Sequence, residues 1–152
     1  MSTVGVFASI LDESGDILLV RHGYGSLRWS TPGGRMEPGE SPVDALVREA
    51  AEEIACEIRI AHLIGLYAKP YGDDLVLSFA ATIASGIPRA CPPEISDIRF
   101  FSRHSLPPEL AFNTRIRIED AFDRCRGIVR VFDSADSLAP SLDTHVPSHT
   151  NA

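Results

Sequence analysis

The chain has 152 residues, 44% of them hydrophobic and 23% charged, with a formal net charge of −7. Such a length and composition suit one domain with a core of its own, and the acidic balance excludes the clustered Lys and Arg surface that holds a nucleic-acid polymer. Cys56, Cys91 and Cys125 are widely spaced and lack zinc-type neighbours, and neither a signal-peptide start nor a bilayer-length apolar run is present. Reduced thiols, a cytoplasmic setting and no membrane partner are therefore expected.

In chain order, Thr3 to Leu11 and Ile17 to Arg21 are apolar and β-branched and flank a Ser14-Gly15 turn, which predicts a β-hairpin. The stretch "LRWSTPGG" predicts a short strand entering a loop that Pro32, Gly33 and Gly34 turn sharply. A helix is expected over Pro42–Ile54: Ser41 suits the N-cap, Pro42 the first helical position and Asp44 a capping box. Its buried stripe should be Val43, Leu46, Val47, Ala50 and Ile54. Two strands follow, Cys56 to Ala68 and Leu75 to Ala84, then a third over Ile98 to Ser102. Asn113 is placed to cap a second helix that runs to about Cys125 and stops at Gly127. After Phe132 the chain turns rich in Ser, Asp, Thr and Pro, so the reading is a domain over 1–132 and a mobile tail over 133–152, with His145 and His149 solvated. Strands on either side of two helices make the class α+β, a sheet with a helix on each side.

Helical geometry puts Glu49, Glu52 and Glu53 on one arc, away from the apolar stripe. Carboxylates crowded in this way repel, so one takes up a proton or the group holds a cation. Hard ions such as Mg²⁺ or Mn²⁺ prefer oxygen ligands and keep sites open for phosphate. In isolation a solvated helix face explains E-x-x-E-E better, as it does most charge runs on helices. The surroundings separate the two readings: a Pro-Gly-Gly stretch, Glu40 just before the helix, and Arg48 directly before the cluster.

Gly34, Glu40, Arg48, Glu49, Ala50, Glu52 and Glu53 stand at the spacing G-x5-E-x7-R-E-U-x-E-E-x-G-U, with U aliphatic, and this resembles the signature of the Nudix hydrolases. Ala55 departs from it at the glycine and Cys56 at the final aliphatic position. The likeness extends to "RWSTPGG" and to "PPEISDIRFFSRHSLPPEL", covering roughly residues 3 to 126.

The resemblance implies a Nudix-type α/β/α sandwich with a mixed sheet and a loop-helix-loop signature. It also implies a metal-dependent hydrolase that splits a diphosphate linkage in a small nucleotide derivative, such as a nucleotide sugar or ADP-ribose. Glu49, Glu52, Glu53 and a carbonyl of the Gly33-Gly34 stretch would be ligands of Mg²⁺ or Mn²⁺, and Arg48 would orient them by pairing with Glu40. The base would be Glu49 or Glu53, or else Glu94 or Asp97 from the later acidic loop. Trp29, Tyr67, Tyr71 and Phe100 are candidates to stack on a base, Arg28 and Arg115 to meet phosphate, each against a plain packing role. Two other readings stay open: a hydrolase of oxidised nucleoside triphosphates like MutT, and a non-catalytic nucleotide sensor. A homodimer fits the family's habit.

Overall fold

In the computed structural model, which describes residues 2–140, nine strands and two α-helices follow in the order β1 (Thr3–Ile10), β2 (Ile17–His22), β3 (Trp29–Ser30), β4 (Gly33–Arg35), α1 (Pro42–Ile54), β5 (Glu57–Lys69), β6 (Asp74–Ser85), β7 (Ile95–Phe101), α2 (Phe112–Phe122), β8 (Ile128–Ser134) and β9 (Ser137–Leu138). A six-stranded mixed sheet is ordered β4-β1-β6-β5-β8-β9, and a second sheet is ordered β3-β2-β7. The α+β class is as expected, and among the described residues no helix is long and apolar enough to cross a membrane.

β1 and β2 do not form the expected hairpin. The turn is present, with Asp12 Oδ1 accepting from the amides of Ser14 and Asp16 at 2.9 Å each. Past the Leu11–Ile17 bridge, however, the strands part into different sheets. β1 instead pairs in parallel with β6, from Thr3 opposite Asp74 to Ile10 opposite Ala81. The reason lies in two-sided burial. Leu18 and Val20 of β2 pack with β1 and α1, whereas Ile17 and Leu19 pack with Trp29, Ile64 and Ile118 of the α2 side. A strand apolar on both faces sits best between two covering layers, not at the edge of a ribbon.

α1 begins as the sequence predicts, Ser41 Oγ accepting from the Asp44 amide at 3.1 Å. Its buried side chains are Ala45, Leu46, Ala50, Glu53 and Ile54; Val43 is exposed, so the stripe turns slightly from the expected one. Gly33 and Gly34 are not a tight turn but part of β4, which pairs antiparallel with β1. α2 also differs at both ends. Ala111 is its N-cap, without a side-chain bond, so Asn113 lies inside the first turn, and the helix stops at Phe122 with Arg124 at φ 56°.

The C-terminal hairpin β8–β9 was expected as tail from residue 133. β8 adds in parallel to β5, and Phe132 packs under Tyr67 and Phe112, so one buried ring carries the chain into the sheet despite polar neighbours. His145 and His149 lie outside the described residues.

Candidate active site on the acidic helix

α1 packs against β4, and this contact builds the site. Glu53 is only 3% exposed, and its Oε1 accepts from the Gly33 amide at 2.9 Å. Its Oε2 is buried without a hydrogen-bond partner. Burial pushes the Glu53 carboxyl up to about 8 against the Gly33 hydrogen bond, with the charges of Glu49, Glu94 and Glu52 adding to the rise. Glu49 faces the next residue of the same strand: a Cβ on Gly34 would stand 2.6 Å from its carboxyl carbon, so a side chain there would displace the Glu49 carboxylate. Burial raises the Glu49 carboxyl too, although Arg48 opposes the shift.

Arg48 organises the acidic residues around it. Its Nε and Nη2 donate to the two oxygens of Glu40 at 2.8 and 2.9 Å, a bidentate fork, while Nη1 donates to Glu49 at 3.1 Å. The fork and the Glu37 amide hold the Glu40 carboxyl down at about 2. Glu52 points elsewhere. It is paired with Arg48 at 3.3 Å with its side chain 49% exposed, so it is less buried than Glu49 and Glu53, although its charge still raises both of them. Glu49 and Glu53 converge on β4, and Glu52 stands at the rim.

The other candidates divide sharply. Glu94 is exposed but near enough for its charge to raise both Glu49 and Glu53. Asp97 pairs with Arg99 at 3.0 Å on β7. Trp29 is core, edge-on to Phe101 at 5.0 Å, and Arg28 is exposed on the approach to β3. Tyr67 is buried, donating to Asp120 at 2.8 Å, while Tyr71 and Phe100 are exposed. None of these aromatics stands in the cleft beside β4.

That cleft is a cavity of about 300 Å³ lined in part by residues that the sequence did not single out. Gly33 and Gly34 form one wall, with His22, Arg35, Lys69, Asn113 and Arg117 around it. Periodicity hides them because they come from four elements, β2, β4, β5 and α2, and meet only in the folded chain.

Comparison with known proteins agrees with the geometry. The family model described as NUDIX domain matches residues 1–122. The chain therefore belongs to the Nudix hydrolases and is a pyrophosphohydrolase. It is 36% identical over 120 residues to a putative 8-oxo-dGTP diphosphatase of Bacillus subtilis, covering 79% of this chain and 80% of that one. It is 44% identical over 80 residues to the NAD-capped RNA hydrolase NudC of Pseudomonas putida, covering 53% of this chain but only 29% of that protein. Among solved structures, a NUDIX hydrolase from Nitrosomonas europaea aligns with a TM-score of 0.74 at 19% identity, covering 86% of this chain and 79% of that one. An ADP-ribose pyrophosphatase from Streptococcus suis aligns at 0.72 and 21%, covering 85% and 99%. At those identities the structural likeness speaks for the fold.

Nudix hydrolases generally use divalent metal ions. The donors here fit such an ion. Glu53 Oε2 is a buried oxygen without a partner, Glu49 and Glu94 add negative charge beside it, and all are hard oxygen donors. Among the described residues no ready-made group of three ligating side chains exists, because Glu52 is turned to Arg48. A cation would compete with Arg48 for Glu52.

Proposed function

We propose that the chain hydrolyses a diphosphate linkage in a small nucleotide derivative, with Mg²⁺ or Mn²⁺ held by Glu53 and Glu49, by Glu52 once released from Arg48, and by a carbonyl of Gly33 or Gly34. The observation that carries this reading is the unpartnered Oε2 of Glu53, buried where the Glu49 carboxylate also packs against the glycines of β4. When bound, the ion would neutralise the diphosphate and lower the pKa of an attacking water.

The residues supply the rest. The Gly33 amide fixes one oxygen of Glu53, leaving the other to take a cation or a proton. Arg48 clamps Glu40 and touches Glu49, so the Glu49 carboxylate keeps its orientation through turnover. Glu94 places a further carboxylate near the pair and is the base candidate from outside the helix; Asp97, engaged with Arg99, is not. The ordinary substrate is a nucleoside diphosphate joined to another group. A second reading, an oxidised nucleoside triphosphate, is favoured by the relative from Bacillus subtilis, which aligns over most of both chains. Work inside the cytoplasm fits either substrate.

The test is release of nucleoside monophosphate from ADP-ribose, nucleotide sugars, dinucleoside polyphosphates and oxidised dGTP, with Mg²⁺, with Mn²⁺ and with chelator. Metal-dependent cleavage of one compound far above the others supports the hydrolase and names its substrate class. Binding of a panel member without cleavage in any lane replaces the reading by a sensor.

A further inference from the structure

α2 buries two charged side chains, and the fold treats them differently. Asp120 is fully matched: Arg130 donates to both of its oxygens at 2.7 Å and the Tyr67 hydroxyl donates at 2.8 Å. Arg117, three positions earlier and 2% exposed, has neither a hydrogen bond nor an ion pair among the described residues. Its guanidinium lies 4.5 Å from the centre of the Phe7 ring, and its buried Nε has no acceptor. Burial holds the guanidinium below its ordinary value; the charge of Asp74 and the Phe7 ring face offset only part of that desolvation.

Arg117 lines the 300 Å³ cavity that shares Gly33 and Gly34 with the carboxylate site. Arg35 and His22 stand in the same wall. The negative group there, Asp74, is already taken by Lys69 at 2.7 Å and by the Thr3 hydroxyl at 2.6 Å. The cavity thus presents excess positive charge and unfilled planar donors, next to a site whose own charge is negative. A guanidinium fork matches the two oxygens of a phosphate or carboxylate.

We propose that this cavity is an oxyanion subsite in which Arg117 is a specificity-determining residue, taking a phosphate or carboxylate carried by the substrate beside the linkage that is cleaved. The assignment rests on the hydrolase reading for its meaning but not for its test. It predicts a substrate with an anionic group beyond the scissile diphosphate and discrimination against neutral analogues.

The experiment is calorimetric titration of the full chain, in chelator and at constant ionic strength, with inorganic phosphate, with acetate and with uncharged guanosine. Phosphate should bind saturably and raise Tm, and Arg117→Met should weaken it about 10-fold or more, with Arg117→Lys in between. Acetate in place of phosphate would show the same subsite suited to carboxylates. Arg117→Met keeps the length that packs on Phe7 and removes an unmatched charge, so its Tm without ligand should equal or exceed that of the parent. No saturable binding of either anion by the parent chain overturns the proposal, whatever the variants do. Equal affinity in Arg117→Met overturns it as well, and so does Arg117-dependent binding of guanosine alone, which would make the subsite a reader of bases. Because no metal or turnover enters, anion binding without cleavage would remove the hydrolase reading and leave the subsite standing.

Discussion

Glu53 joins the chemistry of the site to the stability of the fold. Its carboxyl is raised to about 8 from an ordinary 4.5, so the folded chain holds a proton that the unfolded chain releases between those values. Stability from this group is present below the unfolded value and is lost as pH rises toward 8. Metal-free protein should therefore melt at falling temperature as pH rises through that window, and Glu53→Gln should flatten the slope in a calorimetric series. The same variant should keep the fold and lose turnover by about 10²–10⁴-fold, read with saturating Mg²⁺. Arg48→Lys tests the clamp. A single ammonium does not reproduce the fork on Glu40, and activity should fall about 10–100-fold with little change in Tm. The box glutamates and Arg48 were legible in the sequence because they lie within one helix and its entry. The orientation of Glu52 was not, since it depends on which neighbours Arg48 also serves.

At the scale of the element, the end of α1 holds a local strain. Ala55 adopts φ 57°, ψ 33°, the left-handed conformation in which the family signature has glycine. A Cβ there costs on the order of 1 kcal/mol, and packing of Leu46, Ala50 and Ile54 over the sheet sustains it. Ala55→Gly should raise stability by about 1 kcal/mol and Tm by about 2–4 °C, measured by thermal denaturation. A fall in Tm would mean that the alanine methyl contributes more by packing than its backbone loses. The helix start was readable from Ser41, Pro42 and Asp44 because capping is a local affair. β1 and β2 were misjoined for the opposite reason: the turn at Asp12–Asp16 is local, but the partner of each strand is chosen far along the chain.

Across the whole molecule, β8 extends the large sheet beyond β5, and Phe132 fills the space between Tyr67 and Phe112. Phe132→Ala should cost about 3–5 kcal/mol in urea unfolding, although the residues directly after it read as polar tail. A loss under 1 kcal/mol would make the hairpin an appendage. The sequence by itself determined the α+β class, the acidic helix and the family, since each rests on spacing within a short stretch. The tertiary structure alone decided that Glu53 is buried with one oxygen unmatched and that Arg117 lines a cavity beside Gly33. Burial and charge pairing are properties of elements brought together from across the chain, and no local pattern records them.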